Sequence, residues 1–167
     1  KDRLYFHRFT SAPLENTVVI ADYDDRWETL TIWSNTQRPM FNHRFISHAL
    51  GFPGEKIRYI TPDIGGGFGI KNDIYPYMIL MALLAMRAGK PVKWVETRTE
   101  HLSASAHGNE VLYDAELAVK KDGTITGLRA RAVHDEGAYM RREPIGAINF
   151  IRHATLAYTF QNLSMDL

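Results

Sequence analysis

Residues 63 to 71 read Asp63-Ile64-Gly65-Gly66-Gly67-Phe68-Gly69-Ile70-Lys71. Four glycines in five positions remove side-chain bulk and permit positive φ, so the stretch reads as a loop. Successive amides of such a loop can point into one concavity, a nest that favours an anion or an electron-rich oxygen. A strand is expected before it and a helix after it, and helix-end amides would add to the effect. Phe68 alone interrupts the glycines, either to lie flat against a planar ligand or to anchor the loop in the core. Two phosphate motifs fail here. A P-loop needs a Gly-Lys pair followed by Ser or Thr, but Ile70 precedes Lys71 and Asn72 follows it. A dinucleotide fingerprint starting at Gly65 needs glycine where Ile70 stands. From glycine content alone, a tight structural turn with no ligand is the alternative.

The flanking pattern is mixed. Thr17 to Tyr23 reads as a strand, and Glu28 to Trp33 alternates with Leu30 and Ile32 on one face, so the two form a hairpin around Asp24-Asp25. Pro39 suits a first helical position and Gly51 the residue just past the end. Phe41, Phe45 and Ala49 recur at spacing four between them. Ile57 to Thr61 is a short strand stopped by Pro62. Asp73 is expected to cap a second helix, running to about Arg87 and ending at Gly89. Val92 to Glu96 is a further strand. Glu110 to Val119 and Thr124 to His134 flank Asp122-Gly123, a strong hairpin turn. The fold class is therefore α+β: small mixed or antiparallel sheets, two amphipathic helices and a C-terminal β-hairpin. Trp33 and Trp94 belong in the core.

Composition excludes several functions. The 167 residues carry a net charge of +1, with Lys and Arg scattered, so no stripe for nucleic acid exists. Arg141-Arg142 reads as solvated surface. There is no Cys, which removes disulfides, zinc thiolates, iron–sulfur ligation and thiol catalysis from this chain. The longest apolar run, Tyr77 to Met86, is far short of the roughly 20 residues of a membrane-spanning helix and reads as a buried helix. No signal peptide is visible at Lys1, and the expected compartment is the cytoplasm.

With those residues in view, the chain resembles the xanthine oxidase family of molybdenum hydroxylases. Pro62 to Lys71 is similar to that family's molybdenum-site motif. Asn35-Thr36-Gln37-Arg38-Pro39 resembles its Ser-Thr-Gln segment, followed by the expected helix and Leu50-Gly51-Phe52-Pro53. Tyr75-Pro76, Lys90 to Arg98, Glu100-His101-Leu102 and Asp135 to Tyr139 also fit, in order. The branch it most resembles is the large chain of carbon monoxide dehydrogenase.

The resemblance implies an oxidoreductase that oxidises a small substrate with water-derived oxygen. It implies one partial molybdopterin-binding domain over residues 1–167, with the remainder beyond Leu167. By position, Gln37 would reach an oxygen on molybdenum with its amide, which donates without competing as an anionic ligand. Phe68 and Gly69 would bring main-chain amides to the same oxygen and to the pterin, while Gly66 and Gly67 keep that approach open. No side chain here would ligate the metal directly. The pterin would be the cytosine dinucleotide form. FAD would lie on a medium subunit and 2Fe–2S clusters on a small subunit, with a dimer of large subunits and no nucleic-acid partner. The family's general-base Glu would lie beyond Leu167, so the isolated piece is expected to be inactive and sticky. Asn72 stands where purine-oxidising members carry Glu, which argues against a purine. The alternative is a non-enzymatic module whose loop holds a phosphate or nucleotide.

Other candidates are weaker. His43 and His48 are five apart with no His-Glu-x-x-His, and His101 and His107 read as structural or surface residues. Asp63 reads as a turn former. Asp135 and Glu136 would point to opposite faces of a strand. Ser103 and Ser105 lack the setting of a nucleophile.

Overall fold

A computed structural model describes residues 1–139 and 145–167, and the side chains of all of these but 145–147. Arg141-Arg142 lies outside the described residues. In chain order the strands are β1 (Asp2–Phe6), β2 (Val18–Asp24), β3 (Thr29–Ser34), β4 (Ile57–Ile60), β5 (Val92–Val95), β6 (Glu110–Val119), β7 (Ile125–Asp135) and β8 (Asn162–Asp166). The helices are α1 (Pro39–Leu50), α2 (Pro76–Ala88), α3 (Arg98–Ala104) and α4 (Ile145–His153). They form two compact units, Thr10–Ala106 and Lys1–Phe9 with His107–Leu167.

The Thr10–Ala106 unit is a sheet of order β4-β3-β2-β5. β2 pairs antiparallel with β3 and β5, while β3 pairs parallel with β4. A parallel pair needs a crossover, and α1 supplies it. Period-two alternation in β2 and β3 places Val19, Ala21, Leu30 and Ile32 fully inside. Ile46 of α1 and Met78, Ala82 and Ala85 of α2 close over them, with 0–1% exposure. Each fully buried Val, Leu, Ile or Met side chain among these contributes about 1.5–3 kcal/mol, and each alanine less. Trp94 is half-buried and stacks on Tyr77 with ring centroids 4.0 Å apart. Trp33 is half-buried too.

The other unit is a sheet of order β1-β6-β7-β8. The expected hairpin is β6 and β7, turning at Lys120–Thr124, and β8 pairs parallel with β7 after α4. Glu136 lies just past the end of β7, so the two do not share a strand: Asp135 takes Arg8 and the Gly137 amide, and Glu136 takes Asn109.

The α+β class agrees with the sequence reading, and β2 to β7 lie within about a residue or two of their expected bounds. Two expectations are corrected. The Phe41, Phe45 and Ala49 stripe is exposed, and α1 buries Asn42 and Ile46 instead. Asp73 does not cap the second helix. α2 starts at Pro76, with Tyr75 as its N-cap at φ −107° and ψ 146°. Proline forces the residue before it into extended backbone and itself suits the first helical position. Asp73 is buried two residues earlier, after a 3-10 turn over Ile70–Asn72. The structure adds β1, α3, α4 and β8 to the expected elements.

Candidate functional site

The glycine loop connects β4 to α2, and α1 begins beside it. Gln37 is anchored by its own amide, which donates to the Lys71 carbonyl at 2.9 Å. Thr36 fixes the same carbonyl through Oγ1 at 2.9 Å, and that hydroxyl accepts from Asn42 Nδ2 of α1 at 2.8 Å. The Gln37 side chain then crosses the loop. The Gly69 amide donates to its Oε1 at 3.0 Å. Because only the carboxamide oxygen can face an N–H, the orientation is fixed and the NH2 remains as a donor.

The loop is bare for a reason. A Cβ on Gly67 would lie 2.5 Å from Gln37 Cδ, and one on Gly65 would lie 2.6 Å from Glu15 Cβ. Gly66 has φ +96°, with the Phe68 ring and Pro13 against it. The amides of Gly66, Gly67 and Phe68 have no acceptor among the described residues. Buried or crowded backbone donors are normally paired, so a cluster of open ones marks a place for an acceptor.

Phe68 does not anchor the loop in the core. Its side chain is 74% exposed, and its backbone is left-handed at φ 49°. Such a conformation in a non-glycine residue persists only where the surroundings hold it, and it clusters at functional sites.

A strap over residues 11–15 supplies that hold. Ser11 Oγ donates to the Phe68 carbonyl at 3.1 Å. Glu15 grips Gly65 twice: its amide donates to the Gly65 carbonyl at 3.2 Å, and its Oε2 accepts from the Gly65 amide at 2.7 Å. The same oxygen takes Lys71 Nζ at 2.8 Å, with the Lys71 side chain 1% exposed. Desolvation alone pushes the Glu15 carboxyl up. The Lys71 ammonium, the Gly65 amide and Asn35 outweigh it and hold the group below its ordinary value.

The strap is tied down in turn. Arg98 donates to the Leu14 carbonyl at 2.9 Å, and Asn35 to that of Asn16 at 2.8 Å. His101 is fully buried, with Nδ1 2.9 Å from Glu96 Oε2 and Nε2 3.3 Å from the Ser11 carbonyl. Glu96 also accepts from the Thr17 amide and from Ser105 Oγ, both at 3.0 Å.

A model of the molybdopterin cofactor-binding domain matches residues 1–167. The chain belongs to the molybdopterin cofactor-binding domain family. It is 39% identical over 136 residues to the carbon monoxide dehydrogenase large chain of Hydrogenophaga pseudoflava, covering 81% of this chain and 17% of that one. It is 39% identical over 132 residues to the nicotine 6-hydroxylase large subunit of Paenarthrobacter nicotinovorans, covering 79% and 16%. The structure of quinoline 2-oxidoreductase from Pseudomonas putida 86 superposes with a TM-score of 0.78 at 31% identity, over 83% of this chain and 18% of that one. The chain thus spans about a sixth of the length of the relatives it matches.

Within this molybdopterin-domain chain, Gln37 packs against Gly67 and accepts from the Gly69 amide, in the same loop as Gly66 and Phe68. Sequence reasoning missed Ser11, Glu15 and the function of Lys71. Lys71 gave a signal: a lone cation between Ile70 and Ile74 needs a buried partner. The expectation that His101 is structural agrees with its burial. Among the described residues no helix is long and apolar enough to cross a membrane.

Proposed function

We propose that this chain forms one wall of the molybdenum-cofactor site of a molybdenum hydroxylase, an oxidoreductase that oxidises a small substrate with water-derived oxygen. The observation that carries the reading is the Gln37 carboxamide packed on Gly67, beside amides that lack acceptors among the described residues. The donor set suits a pterin bearing a metal with oxygen ligands: a carboxamide NH2, main-chain N–H groups and no side-chain bulk. Gln37 and the amides of Gly66, Gly67 and Phe68 would hold that group by hydrogen bonds rather than as metal ligands, while the Gly69 amide, expected to approach the same oxygen, is instead spent on Gln37 Oε1 and orients the carboxamide. Phe68 offers an exposed ring face to a planar ligand. When bound, the cofactor supplies the redox chemistry. The chain's residues supply orientation and fixed dipoles that need no reorganisation.

We further propose the cytosine dinucleotide form of the pterin, FAD on a medium subunit, 2Fe–2S clusters on a small subunit, a dimer of large subunits and a cytoplasmic location. The general base and the rest of the pocket would come from parts of the whole protein outside these residues. Carbon monoxide, an aldehyde or an aromatic heterocycle is the substrate class, since Asn72 replaces the Glu of purine-oxidising members. The phosphate-binding alternative is disfavoured because the Lys71 ammonium is buried and already paired with the Glu15 carboxylate. Metal and pterin analysis of the full-length protein, with dye-linked turnover on those three substrate classes, tests the reading. Full-length protein that carries neither molybdenum nor pterin would overturn it.

A further inference from the structure

Ser11 lies outside the glycine loop, yet it acts on the peptide that donates to the Gln37 carboxamide. Its hydroxyl donates to the Phe68 carbonyl at 3.1 Å. The other end of that peptide unit is the Gly69 amide, which donates to Gln37 Oε1 at 3.0 Å. A trans peptide is planar and aims its C=O and N–H in opposite directions. One rigid plane is therefore held at both ends, by Ser11 on one side and Gln37 on the other. This orientation goes with left-handed backbone at Phe68 (φ 49°) and Gly69 (φ 91°), which Phe68 adopts reluctantly.

We propose that Ser11 is a positioning residue that sets which end of the Gln37 carboxamide faces the ligand. The proposal rests on the cofactor reading above. With the peptide as it stands, Gln37 spends its oxygen on the Gly69 amide and presents NH2. With the peptide turned over, a carbonyl replaces that N–H, the carboxamide flips to donate to it, and Oε1 faces the ligand. A donor becomes an acceptor at the same place. Ser11 is itself placed from below: its carbonyl accepts from His101 Nε2 at 3.3 Å, and His101 is buried on Glu96.

The test uses Ser11→Ala, Ser11→Thr and Ser11→Val in the full-length protein. Thr and Val impose the same bulk and differ only in the hydroxyl, so any common folding defect cancels between them. Crystal structures read the Phe68–Gly69 peptide and the Gln37 contact. Kinetics read kcat and KM separately, and metal analysis reads cofactor content. Thr should keep the peptide as it is and keep kcat near wild type. Val and Ala should turn the peptide and lower kcat roughly tenfold, the equivalent of about one hydrogen bond, with KM and molybdenum content nearly unchanged. A Val variant that retains the Gly69–Gln37 hydrogen bond, or that matches Thr in kcat, overturns the proposal. Wild-type protein without molybdenum would overturn the cofactor reading instead, while the peptide orientation in the crystals still decides the part played by Ser11.

Discussion

The Gln37 carboxamide lies across Gly67 so closely that no side chain fits between them: a Cβ at 67 would be 2.5 Å from Cδ and 2.7 Å from Oε1. Gly67 is not at positive φ, so an alanine there meets no backbone strain. The cost of Gly67→Ala is displacement of Gln37. Overpacking of this kind costs about 1–3 kcal/mol of stability. Gly67→Ala should weaken cofactor retention about tenfold or more, and Gly67→Val should abolish turnover. Molybdenum per subunit, measured beside urea unfolding, checks both. A Gly67→Val protein with full metal and normal turnover would remove Gln37 from its assigned place.

Gly69 is the complementary case. It has φ +91°, and nothing lies within 4 Å of the point a Cβ would occupy, so the obstacle is strain and not space. Gly69→Ala should cost about 1–3 kcal/mol in urea unfolding. If the variant keeps the loop's shape, it should lose less cofactor than Gly67→Ala. The reverse order of cofactor loss would mean that the loop's backbone, not the seat of Gln37, limits binding.

The contrast shows what the sequence can and cannot reveal. The sheet strands are legible because Val19, Ala21, Leu30 and Ile32 obey a period of two, and α1 because proline and glycine bracket it. The glycine loop and Gln37 are legible because they form recognisable motifs. The strap is not, because Ser11 and Glu15 lie in irregular backbone with no period, and only tertiary folding brings them to the loop, 57 and 50 residues away. α3 carries a readable start, since Thr97 and Glu100 form a capping box. Its seven residues are too few to show a helical stripe. The start of α2 is easily misplaced because Asp73 is a good cap by type, while Pro76 decides the boundary.

Glu96 and His101 form a buried pair, with side chains 2% and 0% exposed. Glu96 accepts from the Thr17 amide, His101 and Ser105 together. Glu96→Ala strands all three donors in the interior and should destabilise by about 3–5 kcal/mol. Glu96→Gln keeps the shape and one acceptor oxygen, so it should cost less. Urea unfolding of both variants checks the order. A Glu96→Ala protein within about 0.5 kcal/mol of wild type would show that the pair does not hold the strap.

Glu15 gives a dependence on pH. Its carboxyl lies below its ordinary value in the folded state, where desolvation is outweighed by Lys71, the Gly65 amide and Asn35. A depressed carboxylate contributes stability that is complete above the unfolded value, about pH 4.3, and is lost as pH falls through the lower folded value. Glu15→Gln removes that charge and leaves Lys71 buried without a counter-ion. At neutral pH it should cost about 1 kcal/mol, kept small because 39% of the Glu15 side chain meets solvent that screens the pair. The difference from wild type should hold steady from neutrality down to about pH 5 and shrink below about pH 4. Unfolding by urea at a series of pH values measures it. A gap that widens with acid would mean that Glu15 is already neutral in the folded protein, and that the Lys71 bridge does not brace the loop.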